Sequence, residues 1–76
     1  MSAKAFILVE TAVGNTKEVV TILSKLKGLT SVDPVTGPYD IIAVIETADL
    51  NDIGEIITDK IHSIPGISRT VTCLVV

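Results

Sequence analysis

Aromatic side chains are almost missing from this 76-residue chain: Phe6 and Tyr39 make up 3% of it, and there is no tryptophan. A sheet that stacks nucleic-acid bases needs exposed rings and basic neighbours, so an RNA-recognition surface of that kind is excluded. Basic residues are also few. Lys4, Lys17, Lys25, Lys27, Lys60 and Arg69 face nine acidic residues, for a net charge of −3. Scattered cations under a negative balance leave no footprint for phosphates, so direct nucleic-acid binding is not expected. Cysteine occurs once, as Cys73, and histidine once, as His62. A single cysteine excludes an intrachain disulfide, a cysteine-based zinc site and the paired thiols of a heavy-metal-associated domain, and it suits a reducing cytoplasm. No apolar run approaches the ~20 residues that a membrane-spanning helix needs. The Met-Ser-Ala-Lys start leads into a strand-like segment carrying Glu10, with no signal-peptide pattern. No metal, cofactor or membrane partner is implied.

What the chain has in excess is aliphatic surface. Hydrophobic residues are 47% of the sequence, and its mean hydropathy is +0.61. A chain this short forms one domain, residues 1–76, and buries only about 60% of its unfolded surface, so its own core is marginal. The natural outlet for the surplus is another copy of the chain.

Residues 3–10 (AKAFILVE) are apolar on both faces, the pattern of a central strand. After a loop, Asn15 and Glu18 have the spacing of a capping box. Val19, Ile22, Leu23 and Leu26 then recur at helical spacing up to Gly28, predicting a helix over 15–27. Residues 30–36 form a weaker strand, and Pro34 within it places it at a sheet edge. Residues 40–47 are the third strand. Asp49 caps a second helix whose apolar face is Leu50, Ile53, Ile57, Ile61 and Ile64, and Pro65-Gly66 ends it. Residues 67–76 are the last strand. The order strand-helix-strand-strand-helix-strand predicts a ferredoxin-like βαββαβ sandwich: a four-stranded antiparallel sheet, spatial order 4-1-3-2, with two helices on one face.

Alternation along the strands sorts side chains into two sets. Ala5, Ile7, Val9, Ile41, Ala43, Ile45, Val71, Cys73 and Val75 are small and aliphatic, as a surface beneath helices should be. Lys4, Phe6, Leu8, Glu10, Asp40, Ile42, Val44, Glu46, Thr70, Thr72, Leu74 and Val76 fall on the other face. That face exposes Phe6, Leu8, Ile42, Val44 and Leu74, a patch large enough to mark an interface, and sheet-to-sheet dimerisation is expected.

The chemically pointed segment is the hairpin connection Val35-Thr36-Gly37-Pro38-Tyr39-Asp40. A free amino acid needs an acceptor for its ammonium and donors for its carboxylate. Asp40 supplies the first; the N–H groups of Gly37 and Tyr39, with the hydroxyls of Thr70 and Thr72, supply the second. The alternative is a plain turn with a solvated aspartate. Tyr39 either walls a ligand cavity or covers a dimer edge. His62 reads as a helix C-terminal cap, Cys73 as a core thiol, and Asp49, Asp52 and Glu55 as dipole complementation at a helix start.

The string Val35-Thr36-Gly37-Pro38-Tyr39-Asp40-Ile41, the later Ile64-Pro65-Gly66-Ile67 and the ending Arg69-Thr70-Val71-Thr72-Cys73-Leu74-Val75 together resemble the effector, or RAM, domain of Lrp/AsnC regulators. The resemblance spans nearly the whole chain. The family's N-terminal helix-turn-helix has no counterpart here, so the chain resembles a stand-alone form of the domain. The resemblance implies a non-enzymatic module that dimerises through its open sheet faces, builds rings of dimers and binds an amino-acid effector where dimers meet, beside the hairpin. Carried over, this again points to Gly37, Tyr39, Asp40, Thr70 and Thr72. A role in transcription would then pass through mixed assembly with full-length Lrp/AsnC relatives. Two other functions fit the same topology: a dimeric α/β-barrel enzyme of monooxygenase or isomerase type, and a purely structural oligomerisation subunit. The enzyme needs a histidine, asparagine or aromatic cluster in its cavity, which this composition scarcely provides.

Overall fold

The two most apolar segments take the middle of the sheet. In the computed structural model, which describes residues 2–76, strands β1 (Ala3–Thr11) and β3 (Ile41–Thr47) pair antiparallel from Ala3 opposite Thr47 to Val9 opposite Ile41. β2 (Leu29–Pro34) flanks β3, and β4 (Ile67–Leu74) flanks β1, both antiparallel, giving the order β2-β3-β1-β4. Pro34 lies at the end of edge strand β2, where its missing N–H costs no ladder bond. With α1 (Thr16–Leu23) and α2 (Leu50–Glu55) between the strands, this is the expected ferredoxin-like sandwich.

Both helices press on the same side of the two central strands. Ala5, Ile7, Val9, Ile41, Ala43 and Ile45 are completely buried there, against Val19 and Leu23 of α1, Ile53 and Ile61 from the second helical segment, and Ile64 just beyond it. No helix among the described residues is long and apolar enough to cross a membrane.

The helices differ in detail from what periodicity predicts. Asn15 stands at the N-cap of α1, but its side chain makes no capping bond. α1 also stops four residues early. Lys25 donates to the Ile22 carbonyl and Leu26 to that of Leu23, so the chain tightens into three-residue turns before Gly28. Asp49 does cap α2, accepting from the N–H groups of Asn51 and Asp52 at 2.8 and 3.3 Å. Beyond Glu55 the helix widens into a π-helical stretch, Ile56–Ile61, and His62 N–H donates to the Ile57 carbonyl five residues back. The buried stripe begins at Ile53; Leu50, expected on it, is exposed.

The largest departure concerns β4. Residues directly opposite each other in an antiparallel pair share a face. Ala5, Ile7 and Val9 stand opposite Leu74, Thr72 and Thr70, while Phe6 and Leu8 stand opposite Cys73 and Val71. Thr70, Thr72 and Leu74 therefore lie on the helix side, and Val71 and Cys73 on the open side, the reverse of the assignment made from hydropathy. The cause is position in the sheet. The helices sit over β1 and β3, so the helix side of edge strand β4 stays wet: Thr72 and Leu74 are exposed. Cys73 is likewise exposed rather than a core thiol.

Gly28 takes φ +94° where the chain turns out of α1 towards β2, and a Cβ built there would lie 2.7 Å from Ile56 Cδ1. Gly28→Ala should thus lower unfolding stability by about 1–2 kcal/mol through the left-handed backbone alone, with repacking of Ile56 in addition. An unchanged urea midpoint would show that this turn does not hold its left-handed form in solution.

Candidate functional site

The hairpin between β2 and β3 stands over the end of the open sheet face. Val35 N–H donates to the Asp40 carbonyl at 2.9 Å, closing the connection, and Gly37 at its tip has φ +148°, a backbone that L side chains rarely adopt. Beneath the hairpin lies a cleft of about 450 Å³, with Leu8 and Ile42 from the sheet and Val35, Thr36, Gly37, Pro38 and Tyr39 from the hairpin as its lining. Its surface is almost entirely apolar, and its volume is in the range of small-molecule sites. A second depression of about 460 Å³ on the outer side of α2 is lined by Asn51, Gly54, Glu55, Thr58 and Asp59 and mixes polar with apolar surface.

The five residues singled out from the sequence do not all meet here. Gly37 and Tyr39 line the cleft. Asp40 stands at the base of the hairpin, half-buried, and its Oδ2 accepts from the N–H of Thr11 at 2.8 Å, where the β1–β4 register slips between Glu10 and Thr11. Its own N–H donates to the Val9 carbonyl at 2.9 Å. Asp40 is therefore a structural pin: it satisfies an amide that the bulge leaves without a ladder partner, and it ties the hairpin to the end of β1. The alternative of a merely solvated aspartate is thereby set aside. Thr70 and Thr72 are on the opposite side of the sheet, and Thr70 Oγ1 lies 3.2 Å from His62 Nε2. Within one copy they do not reach the cleft.

Reasoning from the sequence missed Arg69. The strand register places it opposite Glu10, on the open face. Its Nη2 donates to Tyr39 Oη at a long 3.4 Å, and its guanidinium carbon is 6.0 Å from the centre of the Tyr39 ring. The signal available was position: Arg69 precedes Thr70 in the same motif, and reading the strand alternation the other way round brings it to the hairpin side. The far end of the same face carries Lys4, paired with Glu46 at 3.7 Å and 5.5 Å from the centre of the Phe6 ring.

The model of the Lrp/AsnC ligand binding domain matches residues 4–76. The chain belongs to that family. It is 36% identical over 74 residues to the HTH-type transcriptional regulator FL11 of Pyrococcus horikoshii, covering 97% of this chain and 48% of that one. The chain thus spans about half the length of this curated relative. The crystal structure of FFRP-DM1 superimposes with a TM-score of 0.92 at 36% identity, over 97% of this chain and 99% of that one. A Neisseria meningitidis transcriptional regulator, NMB0573, solved as an L-Met complex, shares the fold at TM-score 0.86 and 21% identity, over 97% of this chain and 49% of its own. The family model is that of a ligand-binding domain and FL11 is a transcriptional regulator, so the comparisons favour a non-catalytic module over the monooxygenase or isomerase alternative.

The pin at Asp40 has a measurable consequence without any ligand. Asp40→Ala leaves the Thr11 amide unpaired and should cost about 1–3 kcal/mol in unfolding stability, whereas Asp40→Asn keeps an acceptor and should cost less. Equal urea midpoints for the alanine variant and the parent would mean that the bond is not made in solution.

Proposed function

We propose that this chain is an amino-acid-sensing and assembly module of the Lrp/AsnC type, which binds its effector at subunit borders and adjusts its association state in response. The observation that carries the reading is an apolar cleft continuous with an uncovered apolar sheet face. With β4 placed by its register, that face holds Phe6, Leu8, Ile42, Val44, Val71 and Cys73. Leaving such side chains wet forgoes roughly 1.5–3 kcal/mol for each large one that could be fully buried. A second copy laid face to face removes that surface from water and lengthens the walls of the cleft.

In this arrangement the ligand's side chain rests on Leu8 and Ile42. The second oxygen of Asp40 and nearby carbonyls accept from the ammonium, and the N–H groups of Gly37 and Tyr39 donate to the carboxylate. Thr70 and Thr72 join the site only from a neighbouring dimer, a contribution consistent with ligand binding where dimers meet in a ring. The L-Met complex of a regulator with the same fold supports an amino acid as the ligand class. The ligand shifts assembly only by the difference in its affinity for the two states. Regulation of transcription then follows from assembly with Lrp/AsnC relatives.

Titration calorimetry against the twenty amino acids, with mass spectrometry under non-denaturing conditions, tests the reading. Saturable binding to an even-numbered oligomer is expected. Silence from every amino acid, with no retained small molecule, would leave only a structural subunit. The face itself is tested by Val44→Glu, which sits mid-sheet on the open side: it should convert the oligomer to a smaller species in sedimentation while leaving far-UV circular dichroism unchanged. Undiminished association of this variant would move the interface elsewhere.

A further inference from the structure

We infer that Arg69 is the residue that holds the carboxylate of the ligand, and that the ligand accordingly has a carboxylate at one end and an aliphatic or thioether body at the other. The inference rests on the reading of the cleft as an effector site, and it names a group that this reading leaves out.

Three observations converge on it. Arg69 is exposed on the open face of β4, at the end where the hairpin stands, and it is the cation that touches a cleft residue. Its one side-chain partner among the described residues is the Tyr39 hydroxyl at 3.4 Å, too long to occupy the guanidinium fully. Glu10 stands directly across the strand pair, yet no ion pair between the two lies within bonding distance among the described residues. Arg69 thus keeps a fork of donors for another acceptor while Tyr39 steadies the plane of the fork from one side. A planar fork is suited to two parallel bonds to a carboxylate, a geometry that lysine cannot reproduce.

The cleft beside it selects the rest of the molecule. Leu8, Ile42, Val35 and Pro38 offer hydrocarbon, on which an aliphatic or thioether side chain sheds apolar surface from water while a polar one gains little. Leucine, isoleucine and methionine fit this demand; aspartate, lysine and glutamine do not. Asp40, already holding the Thr11 amide, has an oxygen left for an ammonium, but that contact is not required for the Arg69 assignment.

The test compares the parent chain with Arg69→Ala and Arg69→Lys by titration calorimetry, using leucine, methionine and 4-methylpentanoate, which lacks the ammonium, and isoamylamine, which lacks the carboxylate. Leucine affinity should fall ten- to a hundredfold in Arg69→Ala and be only partly restored in Arg69→Lys, while the weak affinity for isoamylamine should be the same in all three. Unchanged leucine binding in Arg69→Ala would overturn the Arg69 assignment and leave the amino-acid reading standing. Binding of 4-methylpentanoate that depends on Arg69, in a parent that ignores every amino acid, would do the reverse. A parent that binds neither carboxylate would overturn both. Because Arg69 is exposed and on a sheet edge, both variants should keep the parent's urea midpoint, and that measurement separates lost recognition from lost folding.

Discussion

Two helices on one side of a four-stranded sheet cannot shield its other side, and that geometric limit organises this molecule. Right-handed crossovers place both helices together. The helices bury six side chains of β1 and β3 completely, and Leu29 and Val32 of β2 and Ile67 of β4 only in part. Beyond that footprint the opposite face remains accessible, and so do Thr72 and Leu74 on the helix side of β4. A small domain has no further layer to close over the exposed hydrocarbon, so the chain's high aliphatic content becomes surface rather than core. The apolar cleft is one end of this surplus, roofed by the β2–β3 hairpin.

That roof is fixed at its base and free at its tip. Asp40 bonds to β1 through both its carboxylate and its amide, and Val35 closes onto the Asp40 carbonyl. Between these anchors, Thr36, Gly37 and Pro38 are exposed, and a Cβ at Gly37 would meet nothing within 4 Å. Such a segment can be pressed against a ligand or a neighbouring chain without disturbing the core. The bulge at Glu10 and Thr11 is part of the same device, because the irregular register frees the amide that Asp40 takes.

The core was legible in the sequence, because β1 and β3 are covered on one side by helices and alternate accordingly: Ala5, Ile7, Val9, Ile41, Ala43 and Ile45 all lie where parity placed them. β4 was not. On an edge strand beyond the helices, threonine suits the helix side as well as valine does, so hydropathy no longer reports orientation there. That inversion misplaced Thr70 and Thr72, hid Cys73 in a core it does not enter, and kept Arg69 out of view. The end of α2 was illegible for a different reason. A π-helical turn changes the spacing of inward positions from four residues to five, and the isoleucine-rich run Ile53, Ile56, Ile57, Ile61 fits either spacing. The hairpin's place at the sheet mouth was plain from Gly37-Pro38 between two strands. Its pinning to β1 was not, since Asp40 and Thr11 are 29 residues apart.

The cleft and the open face share their floor, because Leu8 and Ile42 belong to both. In the proposed assembly, a ligand in the cleft and a second copy on the sheet would therefore compete for, or jointly cover, the same hydrocarbon. If they cover it jointly, each removes water that the other would otherwise have to displace, and binding of either strengthens the other by one and the same free energy. If they compete, the sign reverses and the ligand dissolves the assembly. The geometry favours joint coverage. The hairpin lines the cleft from the side away from the middle of the sheet, and Phe6 and Val44, further along the strands, remain free for the partner. Ligand affinity in such a system rises with protein concentration, which a site complete within one chain would not show.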